Sequence, residues 1–226
     1  MVTLSTDKKL TASYLLTDMS ETEIERAKVV ETILPILSEA AIEADQSGEF
    51  YTDHIKTLSD AGLLGLIVPE AYGGMGGTLR DLAATCFAMG TACPSTALAY
   101  FFHCSSASRG LLPLEAIESG LFTEEEIPLV KAFAEKVLTK MGREGKWLAN
   151  FASESTKTST SSITIKTTAS KVDGGWLLNG IKFFGCASGV ADEYLVTAAL
   201  EGYDTAAGLS VFFVGRDAEG VSIRAP

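Results

Sequence analysis

The sequence predicts an α+β chain: an all-α helical N-terminal domain over residues 1–145, then an antiparallel β-barrel or sandwich-like domain over residues 146–226. Three observations carry this reading. Apolar residues recur at helical spacing through the first part of the chain, and around residues 142–146 that period gives way to apolar–polar alternation. Beyond this point lie Asp173-Gly174-Gly175 and Asn179-Gly180, dipeptide types that supply the positive φ of hairpin turns, each between runs of strand-forming residues.

The helices follow in order. Ser20-Glu21-Thr22-Glu23 has the form of a capping box, and Ile24, Ala27, Val30, Ile33 and Leu34 continue it at helical spacing until Pro35, which is expected to kink or break the helix. Phe50 to Ala61 reads as the next helix, with Ile55 and Leu58 inward and Gly62 just past its end. Pro69 stops the apolar run Leu63 to Val68. Thr78-Leu79-Arg80-Asp81 opens a helix through about Gly90, and Pro94-Ser95 opens another running to Gly110; both are apolar on most faces, as suits an inner layer. Thr123-Glu124-Glu125-Glu126 places acids where a helix dipole favours them, with Lys131, Lys136 and Lys140 in the later turns of a helix over Ile127 to Met141.

In the second half, Trp147 to Ser153, Ser162 to Val172, Gly175 to Leu178, Ile181 to Phe184, Glu193 to Leu200, Leu209 to Val214 and Val221 to Arg224 read as strands. Both turn dipeptides are expected to make hairpins, giving a meander. After Ile181, Phe183 and Phe184, the run Gly185-Cys186-Ala187-Ser188-Gly189 removes side-chain bulk. Such a loop lets a planar ligand reach the main chain, and it equally fits an ordinary bulge or turn.

Composition excludes several functions. With 226 residues, 46% of them apolar, the chain is long enough to bury a substantial core. A net charge of -11 argues against a nucleic-acid or anionic-membrane partner, because phosphates demand a basic face. The apolar runs are too short for a membrane span and the first residues lack an apolar signal core, so a cytoplasmic protein is expected. Cys86, Cys93, Cys104 and Cys186 form no CxxC pair, and with only His54 and His103 beside them no metal site is expected. His103, on an apolar helix, reads from its neighbours as a core residue.

Two elements about 100 residues apart carry a resemblance. Ala61-Gly-Leu-Leu-Gly-Leu-Ile-Val-Pro-Glu-Ala-Tyr-Gly-Gly-Met-Gly-Gly77 resembles the AGL…VPEXYGG element of the acyl-CoA dehydrogenase superfamily. Asp173-Gly-Gly-Trp176 and Asn179-Gly-Ile-Lys182, followed by the small-residue loop and Ala191-Asp192, resemble its β-domain. The resemblance covers essentially the whole chain. It implies FAD bound against the β-domain, α,β-dehydrogenation of an acyl-CoA thioester with hydride transfer to the flavin, an electron-acceptor flavoprotein, and a homotetramer or homodimer. It also places the family's catalytic carboxylate in a C-terminal four-helix bundle beyond Pro226, so no catalytic base is assigned; the chain is expected to be a fragment or a shortened protein.

The site residues are carried over one by one. The family's Thr/Ser-Glu-Pro-x-x-Gly-Ser-Asp loop matches Ser153 to Thr160, keeping Ser153 and Glu154 but replacing Pro, Gly and Asp by Ser155, Thr158 and Thr160. Ala152 then offers a backbone contact to the flavin, Ser153 a hydroxyl at its pyrimidine edge, and Ser159 a contact to acyl-CoA and cofactor phosphates. Lys-x-Trp-Ile-Thr/Ser-Asn-Gly matches Lys182 to Ser188, so Phe184 replaces the Trp that packs on the isoalloxazine, Gly185 follows it, and Cys186 replaces the hydroxyl aimed at flavin N5. A thiol donates more weakly than a hydroxyl, which shifts the burden at N5 to backbone amides. His103 lies on the helix whose family counterpart borders the substrate pocket. The Phe-x-x-x-Ser-Gly form of the loop also resembles the related flavin-dependent monooxygenases, which take reduced FMN or FAD from a flavin reductase and use O₂; there His103 assists proton transfer. A non-enzymatic binding or assembly subunit is the third reading.

Overall fold

The computed structural model describes residues 9–154, 165–203 and 206–223. By its internal contacts the chain divides into two compact units, Met1–Lys146 and Trp147–Pro226.

The first unit is helical: α1 (Glu21–Ser47), α2 (Asp53–Asp60), α3 (Leu79–Ala92), α4 (Pro94–Ser105), α5 (Ser108–Glu118) and α6 (Ile127–Gly142). At the start of α1 the Glu23 amide donates to Ser20 Oγ at 3.2 Å while the Ser20 amide donates to Glu23 Oε2 at 2.8 Å. Thr78 and Asp81 build a second capping box at α3. Asp81 also accepts from Arg26 Nε at 2.7 Å, which pins α1 to α3 through a pair whose carboxylate is 2% exposed.

Three helical expectations are corrected. Of the two outcomes expected at Pro35, the break does not occur: α1 runs uninterrupted through it, with Ala27, Val30, Ile33 and Leu37 buried on both sides, and that packing outweighs the hydrogen bond the ring deletes. The helix expected over 50–61 is shorter, starting at Asp53. The helix expected to run from Pro94 to Gly110 turns at Ser106–Ala107, where the Ser106 and Ala107 amides donate to His103 O and Cys104 O. Gly110 therefore ends nothing. It lies inside α5, where a Cβ would meet Leu138 Cγ at 2.6 Å and Ala134 O at 2.8 Å, so its missing side chain lets α5 approach α6.

The run from Ala61 to Gly77 makes no long element. Two 3₁₀ turns, Leu63–Gly65 and Glu70–Tyr72, are folded back so that the amides of Met75, Gly76 and Gly77 donate to the carbonyls of Gly65, Val68 and Leu66. Tyr100 and His103 of α4 tie to the same turn through Leu63 O at 2.7 Å and Leu64 O at 2.9 Å.

The second unit is a five-stranded sheet of β1 (Leu148–Phe151), β2 (Thr168–Val172), β3 (Gly175–Asn179), β4 (Glu193–Leu200) and β5 (Leu209–Gly215). β4 is its centre. Antiparallel β5 runs along one edge of β4 from Glu193↔Gly215 to Ala199↔Leu209; the other edge is shared, by β1 over residues 193–196 and by β2 at residues 199–200, both parallel. The sheet is thus mixed rather than purely antiparallel, while the order of helices followed by strands is the predicted one. β2 and β3 form the expected hairpin, with Asp173-Gly174 as its two-residue turn and Gly174 at φ 77°.

The second hairpin does not form. Asn179-Gly180 ends β3, Gly180 lies so close to Thr167 that any Cβ would collide with its side chain and Cα, and residues 181–185 leave the sheet instead of pairing. Residues 221–223 also carry no strand, with Arg224 outside the described residues; of the segment expected over Ser162 to Val172, residues 162–164 lie outside the described residues and, among the rest, the ladder runs from Thr168 to Val172.

Candidate functional site

The small-residue loop is built on two aromatic rings. Phe151 at the end of β1 stacks on Tyr194 of β4, with centroids 4.4 Å apart and planes 17° from parallel. Gly185 lies against this stack: a Cβ there would sit 2.7 Å from Phe151 Cε1. Tyr194 then fixes the far end of the loop by accepting from the Gly189 amide at 3.2 Å. Within the loop, Ser188 N donates to Gly185 O and Val190 N to Ala187 O. At the neighbouring strand starts, the Trp147 amide donates to Asp192 Oδ2 at 2.8 Å and the Asp192 amide to Trp147 O at 3.0 Å.

Phe184 is the outlier of this loop. Its φ of 55° is uncommon for a residue with a bulky side chain, and its ring is 91% exposed. Ala187 follows at φ 60°. Among the described residues, no hydrogen bond uses the amides of Phe184, Gly185 or Cys186. An exposed ring and three consecutive amides with no acceptor among the described residues make a surface suited to a flat heteroaromatic ligand with polar edges. Cys186 is half-buried, and burial pushes its thiol pKa up, so it is a neutral, weak donor at neutral pH.

The other predicted segment lies directly beside this loop. The Phe183 amide donates to Ser153 O at 2.9 Å, and Lys182 Nζ donates to Ala152 O at 3.4 Å. Ala152, Ser153, Phe184, Gly185 and Cys186 are therefore brought to one place, with the Ser153 side chain exposed. Ser159 lies outside the described residues. His103 belongs to the helical unit, where it is fully buried with Nε2 against Leu64 O.

Four residues to which the sequence assigns no role meet beside this junction. Glu154 accepts from Lys182 Nζ at 2.7 Å, Thr167 Oγ1 at 2.6 Å, Thr167 N at 2.9 Å and Lys166 N at 2.6 Å. The Glu154 and Lys182 side chains are only 6% and 8% exposed. Burial alone would raise the Glu154 pKa, but the hydrogen bonds from Lys182, Thr167 and the Lys166 amide outweigh it and hold the group at about 2. Glu154 and Lys182 each sit inside a segment that resembles a family motif, but nothing in a one-dimensional spacing says that the two meet.

Residues 21–113 match the family described as acyl-CoA dehydrogenase, N-terminal domain. Over 192 residues the chain is 30% identical to L-evernosamine nitrososynthase from a Micromonospora species, spanning 84% of this chain and 42% of that protein. Over 181 residues it is 29% identical to cyclohex-1-ene-1-carbonyl-CoA dehydrogenase from Syntrophus aciditrophicus, spanning 80% of this chain and 40% of that protein. The chain belongs to the acyl-CoA dehydrogenase superfamily. Among solved structures, KijD3 in complex with FMN and an amino-keto-sugar nucleotide superposes with a TM-score of 0.71 at 28% identity, over 94% of this chain and 48% of that one. The chain spans less than half the length of these relatives. Among the described residues, no helix is long and apolar enough to cross a membrane.

Proposed function

We propose that the β unit of this chain carries the isoalloxazine-facing surface of a flavin-dependent oxidoreductase, and that the complete enzyme is a monooxygenase working on reduced FMN or FAD. The observation that carries the reading is the junction of residues 152–154 with residues 183–186, which sets an exposed Phe184 ring beside three amides that no described group accepts from.

These residues fit a flavin. Gly185 sets the loop's main chain against the Phe151 ring, which occupies the space its Cβ would take, and the amides on either side of it are the ones offered to the ligand. The amides of Phe184, Gly185 and Cys186 would donate to the ring's acceptor edge, Ser153 would offer a hydroxyl to the pyrimidine side with Ala152 beside it, and Phe184 would stack by dispersion and quadrupole. When bound and reduced, flavin supplies the two electrons that let O₂ deliver one oxygen atom to substrate and the other to water. The raised Cys186 pKa keeps a neutral thiol near this surface, so no fixed negative charge opposes an electron-rich ring.

The preference for oxygenation rests on the loop's departures from the dehydrogenase pattern at Phe184 and Cys186, with the similarity to the nitrososynthase and to KijD3 as support. An amine on a small sugar nucleotide is accordingly the first substrate class to try, and a flavin reductase the first partner. Dehydrogenation of an acyl-CoA by FAD is the second reading, favoured by the retained Ser153-Glu154 pair and by the similarity to the cyclohexenecarbonyl-CoA enzyme; it needs an electron-acceptor flavoprotein and the acyl-CoA contact proposed for Ser159. In either case a homodimer or homotetramer is the proposed assembly, and His103 is proposed to act only if substrate reaches its helix. The test is the longest natural form of the protein, supplied with photoreduced FMN or FAD, O₂ and amino-sugar nucleotides, in parallel with anaerobic acyl-CoA and oxidised FAD. Oxygenated product supports the first reading; bleaching of the flavin band by acyl-CoA replaces it with the second; neither, without any bound flavin, leaves a binding or assembly role.

A further inference from the structure

We propose that the Glu154–Lys182 ion pair sets the register between the two flavin-facing segments, so that Glu154 and Lys182 are positioning residues for the flavin rather than contacts to it. The inference rests on the flavin reading above and adds the means by which that surface is held.

Neither segment pairs in the sheet's ladder, although the loop beyond Lys182 rests on the Phe151–Tyr194 stack. Residues 152–154 have left β1 and residues 181–186 belong to no strand, so no ladder dictates how they lie against each other. Among the described residues, the hydrogen bonds between them are the Phe183 amide to Ser153 O, and Lys182 Nζ to both Ala152 O and Glu154 Oε1. Two of these three come from the one ammonium group. Glu154 brings in a third segment, the approach to β2, by accepting from the Lys166 and Thr167 amides and the Thr167 hydroxyl. Thr167 in turn packs against Gly180, directly before the loop. One buried carboxylate therefore ties both ends of the Lys182 loop approach to the Ser153 backbone.

A pair this buried is a poor way to gain stability, because desolvating both charges offsets most of their attraction; apolar residues of the same volume do as well or better. What a charge pair adds is a single allowed geometry. The carboxylate is filled by four donors in fixed directions, and a shift of either segment would leave a buried charge without its partner. That is the property a flat ligand needs from a surface assembled out of two loops.

The experiment compares the full chain with Glu154→Gln, Lys182→Met, Lys182→Arg and the Glu154→Gln/Lys182→Met double variant. Each is titrated with FMN and with FAD by quenching of flavin fluorescence, and each flavin-free protein is followed by hydrogen exchange over residues 182–187. Circular dichroism accompanies both to register loss of fold. Either single change is expected to weaken flavin binding about tenfold or more and to speed exchange of the Phe183 amide. The double variant is expected to be no worse than the worse single, as for two groups acting as one unit, and Lys182→Arg to stay within about threefold of wild type. Wild-type affinity and exchange in Glu154→Gln would overturn the proposal while leaving the flavin reading intact, and so would strictly additive losses. If the unaltered chain binds no flavin, the flavin reading fails, and exchange decides the rest: faster Phe183 exchange in both single variants supports the register device, and unchanged exchange overturns it.

Discussion

A methyl group at Gly185 is expected to disturb flavin binding more than folding, and the size of the effect follows from the surroundings of that one position. The added Cβ would lie 2.7 Å from Phe151 Cε1 and 2.8 Å from Phe151 Cζ. Carbon atoms rest at about 3.5 Å or more, so ring or loop must move by about 0.8 Å. The ring is the stiffer side: it stacks on Tyr194, which is itself 2% exposed and paired through β4 to three neighbouring strands. The loop yields, carrying the amides of Phe184 and Cys186 out of place. Overpacking of this kind costs about 1–3 kcal/mol, which corresponds to a flavin Kd raised about five- to 150-fold if the loop is restored on binding. The assay is titration of Gly185→Ala with FMN and FAD beside a thermal melt of the flavin-free protein. Phe151→Leu in the same background removes the obstructing ring atoms and is expected to recover part of the affinity. A Gly185→Ala protein that binds flavin like wild type would refute the argument, because the collision would then be relieved away from the flavin surface.

Other outcomes follow from the same structure. Glu154 has a folded pKa of about 2, below its unfolded value, so its contribution is fully present above the ordinary carboxylate range and is lost as pH falls from about 5 toward 2; Glu154→Gln is expected to flatten stability across that window in denaturant titrations. His54 is fully buried with Nδ1 against Thr96 Oγ1 at 2.7 Å, and burial lowers its pKa. Its unfolded form binds the proton more readily, so stability should begin to fall below about pH 6.5, and His54→Gln should remove that first phase of the acid titration. Asp81→Ala strips Arg26 of its partner and α3 of its capping carboxylate, and is expected to cost about 3–5 kcal/mol in a chemical melt, well beyond the effect of removing the exposed Lys56–Asp60 pair. Pro35→Ala restores an amide donor in the middle of α1 and is expected to raise stability by about 2 kcal/mol, the intrinsic helix penalty less the unfolded-chain entropy that proline removes.

Local chemistry made the helical half readable. Ser20 with Glu23 and Thr78 with Asp81 announce helix starts by side-chain reach alone, and both boxes form. Pro35 and Gly110 misled because each was judged by intrinsic preference, whereas their neighbours in space decide the outcome: packing on both flanks carries α1 through the proline, and the approach of α6 explains the glycine. In the β half, Asp173-Gly174 acted as its dipeptide predicts, while Asn179-Gly180 answered to Thr167 across the sheet. Parallel pairing of β1 and β2 with β4 joins residues far apart in sequence and leaves no mark in local alternation. The candidate site divides the same way. Phe184, Gly185 and Cys186 stood out by composition and by resemblance, but the Glu154–Lys182 pair depends on the meeting of residues 28 positions apart, which spacing alone does not encode.

The measurement that bears most directly on the central claim is a flavin titration of the chain, followed through the visible absorption band for the oxidised flavin and by anaerobic calorimetry for the reduced one. Saturable binding of FMN or FAD, weakened by Gly185→Ala and tighter for the reduced than for the oxidised ring, is the result this account predicts. Absence of saturable binding in either redox state, from a chain that is folded by circular dichroism, would contradict it.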